Sequence, residues 1–226
     1  MKVLRFAFAL VAALVLAVPA VAAPAQASRG HVYLLRGLAN IFSLGMDDLA
    51  AKLNARGIPA TVHEYGQWAS LADAAAAESR ANGGAPIIVV GHSLGADAAI
   101  QMGERLTALG RPARLVVTFD PVGVKQVGPA AGRFVNYYQS NNGYGKRLST
   151  GPGFRGSLQN RNLDGAGGID HFNIEKAPRL HAEVISSIQA LTARPKPKPR
   201  AKPAEPAAAP APVDSAAAAS AAAKPM

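Results

Sequence analysis

One serine of this sequence stands in a setting that favours nucleophilic chemistry. Ser93 is the centre of the pentapeptide GHSLG (residues 91–95), which follows a β-branched run at 87–90 and precedes a helix-forming run at 96–109. A strand that turns sharply into a helix strains the serine backbone, so the residues two positions away must be small, as the two glycines are. The turn presents the hydroxyl at a helix N-terminus, where backbone N–H groups lack acceptors. The pattern predicts Ser93 as nucleophile and the Leu94 N–H as an oxyanion donor; a purely structural Gly-rich turn is the alternative.

A histidine is needed beside such a serine, because the hydroxyl is a weak nucleophile until an imidazole takes its proton. Two histidines follow Ser93 in the chain, His171 and His181. His181 falls near the start of a predicted terminal helix, where a surface or packing role is expected. His171 follows the Gly-rich segment 165–170, which is flexible enough to bring a ring to the serine, so His171 is the predicted base. His92 lies within the turn and is expected to be a packed or hydrogen-bonded neighbour.

A carboxylate must orient that imidazole, and three aspartates are candidates. Asp120 ends the apolar run 115–119, so its side chain should emerge at the sheet edge where ligands bind in such folds. Asp170 is adjacent to His171 and therefore poorly placed to face its ring. Asp164 would reach the ring only through an unusual loop. Asp120 is the predicted acid, with a capping or structural role as the alternative.

The octapeptide VVGHSLGA (residues 89–96) resembles the nucleophile elbow of the α/β-hydrolase superfamily, particularly its small thioesterase- and lipase-like serine hydrolases. The similarity covers most of residues 31–191. It implies the chain order nucleophile, acid, histidine, with the acid at Asp120 as in thioesterase-like members. It also implies a second oxyanion donor after the first core strand, where LRGL (35–38) matches with arginine in place of the common histidine. The Leu38 N–H is that implied donor, a strand-ending glycine being the alternative, and no metal or cofactor is implied.

Alternating apolar runs and helical periodicities indicate the elements that position these residues. Strands are predicted at 31–36, 60–65, 86–90, 115–119 and 134–139, and helices at 47–56, 70–81, 94–109 and 178–191. Strands that alternate with helices predict a mostly parallel sheet with helices on both faces. The expected fold is a three-layer α/β-hydrolase-type sandwich with no large lid. Residues 140–170, rich in Gly and Asn, are predicted to form a long loop that borders the site.

The two ends of the chain differ in composition from the middle. Residues 1–27 begin with basic residues, continue through an apolar run and end in small residues, which predicts a signal peptide cleaved after Ala27. Cleavage four residues earlier is disfavoured because a proline would follow the scissile bond, and the apolar run is shorter than the roughly twenty residues of a membrane anchor. Residues 194–226, rich in Lys, Pro and Ala, predict a disordered tail. Residues 28–193 are then one catalytic domain.

Charge and cysteine content narrow the function further. The formal net charge is +10, of which the tail carries +4 and the signal peptide +2, so +4 remains for the body. That is too little for a nucleic-acid groove, and no aromatic-interleaved basic motif occurs. The basic tail is suited to contact anionic envelope components or to act as a solubilising linker. With no cysteine, the chain has no disulfide, thiolate nucleophile or thiolate metal site.

These observations predict an exported enzyme, periplasmic or secreted, that cleaves acyl esters or thioesters through Ser93, His171 and Asp120 and an acyl-enzyme. The expected substrate is a small-molecule or lipid-like acyl compound, with no nucleic-acid partner, no membrane span after signal cleavage, and no metal or cofactor. One alternative is a catalytically silent hydrolase fold that binds an envelope ligand or partner. Another is a structural envelope protein tethered by its tail, which leaves the GHSLG turn unexplained.

Overall fold

The computed structural model describes residues 30–38 and 43–193, all of which belong to one structural unit. The predicted signal peptide (1–27) and the predicted tail (194–226) therefore lie outside the described residues, and their assignments stay predictions. Within the described part of the chain, no helix has both the length and the apolar character needed to cross a membrane.

The described residues form eight strands and four α-helices. The strands are β1 (His31–Arg36), β2 (Ala60–Glu64), β3 (Ile87–His92), β4 (Leu115–Phe119), β5 (Gln126–Val127), β6 (Arg133–Tyr138), β7 (Ser149–Thr150) and β8 (Ser157–Asn162). The helices are α1 (Gly45–Asn54), α2 (Trp68–Ala81), α3 (Leu94–Ala108) and α4 (Pro178–Thr192), with 3-10 turns at Tyr65–Gln67 and Ile174–Lys176. The five strands predicted from the sequence correspond to β1, β2, β3, β4 and β6, and the four predicted helices correspond to α1–α4, with similar boundaries.

Six of the strands form one sheet in the order β2-β1-β3-β4-β6-β8, with every neighbouring pair parallel. Strands β5 and β7 pair separately. Strands β3 and β4 lie in the middle of the sheet, and every residue in both is buried. Because both faces of these strands are covered, their sequences are nearly continuous apolar runs and do not alternate between apolar and polar residues.

Successive residues of a sheet strand point to opposite faces of the sheet, and each face packs in its own hydrophobic core. Val32 and Leu34 of β1 pack in one core with residues of α1 and α4. Tyr33 and Leu35, which point the other way, pack in the second core with residues of α2 and α3. A sheet covered by helices on both faces is the predicted three-layer α/β sandwich, so the fold-class prediction is confirmed.

The prediction of a long loop over 140–170 is wrong in part, because this segment contains β7 and the sheet strand β8. Strand β8 has the sequence SLQNRN, with Leu158 as its one apolar residue, and it lies at the edge of the sheet. An edge strand has one paired side and one accessible side, so it needs little apolar sequence. Because this strand is polar, its sequence lacks the apolar pattern that predicts a strand.

Candidate active site

The turn at Ser93 has the geometry that its sequence predicted. Ser93 sits between β3 and α3 with φ 58° and ψ −123°, a backbone conformation that is costly for a residue with a side chain. A Cβ atom added to Gly91 would lie 2.0 Å from the Gly95 carbonyl oxygen, and one added to Gly95 would lie 2.2 Å from the Leu35 carbonyl oxygen. Both glycines are therefore required by close backbone approach.

The structure brings His171 to this serine across 78 positions of the chain. The His171 Nε2 atom lies 3.1 Å from the Ser93 Oγ atom. The His171 ring is buried, stacks on the Tyr144 ring with 4.3 Å between centroids, and meets the Phe172 ring edge-on at 5.3 Å. Two aromatic neighbours thus fix the plane of an imidazole that arrives on a loop.

Asp120 completes a continuous line of hydrogen bonds. Its Oδ2 atom lies 3.2 Å from the His171 Nδ1 atom, and its side chain is fully buried. Its Oδ1 atom accepts the Gln139 backbone N–H at 2.8 Å, and Oδ2 also accepts from the Asn142 side-chain amide at 2.5 Å. A carboxylate that accepts the Nδ1–H leaves Nε2 with its lone pair toward Ser93, which is the tautomer that a general base needs.

The two predicted oxyanion donors belong to the segments on either side of Ser93. Leu94 is the first residue of α3, where a helix leaves its N–H groups without helical acceptors. Leu38 follows β1, and a Cβ atom added to Gly37 would lie 3.0 Å from the Ser93 Cβ atom. Both leucines line the same cavity as Ser93. Their donor roles stay predictions that this proximity favours.

The cavity above Ser93 has a volume of about 320 Å³. Its lining is largely apolar and comprises Leu38, Ser43, His92, Ser93, Leu94, Val122, Tyr144, His171 and Phe172. Three large hydrophobic side chains of this lining are exposed to solvent: Leu38 by 61%, Phe172 by 48% and Tyr144 by 44%. Exposed apolar side chains around a concave site mark a surface that binds apolar groups.

The rival candidates do not reach Ser93. Asp164 accepts from the backbone N–H of Ser140, and Asp170 accepts from that of Phe172, so each organises its own loop. His181 is buried and hydrogen-bonds the Glu175 carbonyl oxygen at 2.6 Å through Nε2. Each has a structural role in this arrangement.

His92 and Ser43 lie next to Ser93 in the cavity lining and are hydrogen-bonded to each other. The His92 ring is buried next to Ser93, and its Nδ1 atom lies 2.8 Å from the Ser43 Oγ atom. Burial lowers the pKa of His92 to about 4, so its imidazole is neutral at neutral pH. No sequence pattern points to Ser43, or to Gln139 and Asn142 around the predicted acid, because their contacts exist only in the folded chain. No group of three or more potential metal-ligating side chains occurs in the described ranges.

No protein-family model matches the chain, and no curated protein matches it. Among solved structures, a Xanthomonas campestris protein assigned to the α/β hydrolase superfamily is 17% identical, with 70% of this chain and 99% of that chain covered and a TM-score of 0.39. An acetylxylan esterase is 13% identical, with 74% and 100% covered and a TM-score of 0.46. Human thioesterase 2 is 10% identical, with 71% and 97% covered and a TM-score of 0.42. The chain's own architecture is a parallel six-stranded sheet with a helical layer on each face and a strand–turn–helix at Ser93.

Proposed function

We propose that this protein is a serine hydrolase that cleaves acyl esters or thioesters. The observation that carries the proposal is the unbroken line of hydrogen bonds from Asp120 through His171 to Ser93 at the wall of an apolar cavity. A serine that packs for structural reasons alone does not require a correctly oriented imidazole or a strained backbone.

The geometry supports a two-step acyl transfer. Ser93 Oγ attacks the acyl carbon while His171 Nε2 takes the hydroxyl proton, and the carbonyl π electrons move to oxygen. The Leu94 and Leu38 amides would stabilise that oxyanion, each donor being worth about 3 kcal/mol of barrier. The tetrahedral intermediate collapses, and the leaving alcohol or thiol departs with the proton from His171. Water, deprotonated by His171, then releases the acid from the acyl-enzyme and regenerates Ser93.

The buried Asp120 carboxylate stabilises the imidazolium that forms during each proton transfer. Its oxygens are fixed by the Gln139 N–H and the Asn142 amide, so the acid is oriented before substrate binds. Preorganised charge of this kind lowers a barrier because the protein does not have to rearrange as charge develops.

The cavity favours a modest acyl group over a large polar substrate. Its volume of about 320 Å³ is at the lower end of the range for small-molecule pockets. Leu38, Tyr144 and Phe172 around the opening are apolar and exposed, which suits an acyl chain that continues toward solvent. We therefore expect activity on short and medium acyl chains.

Labelling with an active-site fluorophosphonate tests the proposal directly. The wild type should be labelled at Ser93, and Ser93→Ala should not be labelled. Ser149→Ala, which removes an exposed hydroxyl from β7, is the matched control and should be labelled like the wild type. A panel of p-nitrophenyl esters and acyl thioesters of graded length then identifies the preferred substrate. An unlabelled wild type, or equal labelling of Ser93→Ala, would favour the catalytically silent alternative.

A further inference from the structure

A chain of buried hydrogen bonds runs behind the nucleophile and is separate from the line through Asp120. The Gly37 backbone N–H lies 2.9 Å from the Ser43 Oγ atom, which lies 2.8 Å from the His92 Nδ1 atom. On the other side of the ring, His92 Nε2 lies 2.8 Å from the His171 carbonyl oxygen. We call this chain the Ser43–His92 bridge.

The direction of every hydrogen bond in the bridge follows from elementary chemistry. The His171 carbonyl can only accept, so the His92 proton must be on Nε2. A neutral imidazole with its proton on Nε2 has an acceptor at Nδ1, and the Ser43 hydroxyl donates to it. The Ser43 oxygen then accepts from the Gly37 N–H, which can only donate. Every polar atom of the bridge has a partner, which is the condition under which a buried polar network makes a structure more rigid.

The bridge joins three segments whose relative positions matter for the proposed reaction. Gly37 immediately precedes Leu38, the predicted second oxyanion donor. His92 immediately precedes the nucleophile, and the bridge ends on the backbone of His171, the predicted base. Ser43 and His92 are almost completely buried, so water does not compete for these hydrogen bonds.

We propose that Ser43 and His92 are positioning residues that hold the Leu38 amide and the His171 backbone in register with Ser93. The inference rests on the proposed function. Neither His92 nitrogen is available for proton transfer with substrate, since one donates to a carbonyl and the other accepts from a hydroxyl. The bridge therefore acts through Leu38 and His171, and its loss lowers the rate of the chemical step without removing any reacting group.

Kinetics of paired variants test this role. Ser43→Ala should lower kcat on the order of 10²-fold, since small displacements of reacting groups are costly. Its KM should change far less than its kcat, because the Ser43 hydroxyl is fully buried and hydrogen-bonded within the protein. Ser79→Ala is the matched control, because Ser79 is also buried and its hydroxyl donates to the Ala85 carbonyl of a different segment. That control should lose thermal stability but retain kcat. Equal loss of kcat in both variants would overturn the proposal.

Substitutions of His92 separate the two halves of the bridge. His92→Gln keeps an amide donor in reach of the His171 carbonyl, whereas His92→Phe keeps the ring shape and loses both hydrogen bonds. We expect His92→Gln to retain more kcat than His92→Phe. The Ser43→Ala/His92→Phe double variant should be no slower than His92→Phe alone, because the residues act as one unit. Additive losses of kcat would contradict a single bridge.

Nitrogen-15 NMR of the wild type examines the bridge without any substrate. His92 should be a neutral imidazole with its proton on Nε2 between pH 6 and pH 8, and the His171 ring signals should shift in Ser43→Ala. A proton on His92 Nδ1, or unchanged His171 signals, would refute the bridge. If the wild type hydrolyses no ester or thioester, the proposed function fails, and these signals still decide whether His92 positions His171.

Discussion

Glu175 offers the strongest test of the energetics around the site. Its side chain is fully buried, and within the described part of the chain neither carboxyl oxygen has a hydrogen-bond partner. The nearest charged or titratable groups are the Lys176 Nζ atom at 3.6 Å and the His92 Nε2 atom at 3.8 Å. Burial raises the pKa of Glu175 from 4.5 to about 7.

A raised carboxyl pKa destabilises the folded state at high pH. The unfolded chain releases the proton near pH 4.5, whereas the folded protein holds it until about pH 7. The unfolded state is therefore increasingly favoured as the pH rises through this interval, and the penalty is constant above it. Between pH 5 and pH 8, the Glu175 carboxyl should remove about 2–3 kcal/mol from the free energy of unfolding, since each pH unit between the two pKa values is worth about 1.4 kcal/mol.

Glu175→Gln keeps the shape of the side chain and removes the titration. Relative to the wild type, its Tm should rise by roughly 5–10 °C more at pH 8 than at pH 5, by the usual conversion for a domain of this size. Calorimetry at both pH values measures the difference. Glu64→Gln, the same change on a side chain that is 45% exposed, serves as control and should show no such rise. A Glu175→Gln stabilisation that is equal at the two pH values would refute a proton held by burial.

Two further variants test the backbone around Ser93. Gly95→Ala should prevent folding or cost more than about 4 kcal/mol, because its Cβ would lie 2.2 Å from a carbonyl oxygen, while Gly66→Ala, with no atom within 4 Å, should keep the wild-type Tm in thermal unfolding. The buried Asp97 carboxylate accepts the backbone N–H groups of residues 122–124. Asp97→Ala should therefore cost about 2 kcal/mol in urea unfolding and raise KM, because Val122 lines the cavity; an unchanged KM would show that this loop does not shape the cavity.

The parts of the site with local sequence signals were predictable. The Ser93 turn needs two glycines at fixed spacing, an unbroken apolar strand before it and a helix after it, and all of these are visible within about twenty residues. Asp120 is predictable because it directly follows β4, whose residues are all apolar or β-branched. The prediction of His171 depends largely on how few histidines follow Ser93, since nothing local determines where a Gly-rich loop places its ring.

The parts that were missed depend on contacts between distant segments. Strand β8 is polar because it lies at the edge of the sheet, and Asn160 is occupied by hydrogen bonds to the Leu148 backbone. Ser43 and Glu175 belong to no recognisable sequence motif, and they become buried next to His92 only when the chain folds. Isolated polar residues carry no periodicity, so their burial cannot be derived from pattern alone.

The backbone itself shows why His171 needs additional anchoring. Ser93 and Asp120 both have positive φ values, 58° and 48°, and each follows the last residue of a central strand. Their N–H groups continue the parallel ladder, with Ser93 donating to the Phe119 carbonyl at 2.9 Å and Asp120 donating to the Tyr137 carbonyl at 2.8 Å. A strain of about 1–3 kcal/mol at each residue persists because the surrounding sheet fixes it. His171 has no strand to hold it, and the Ser43–His92 bridge ends on its backbone.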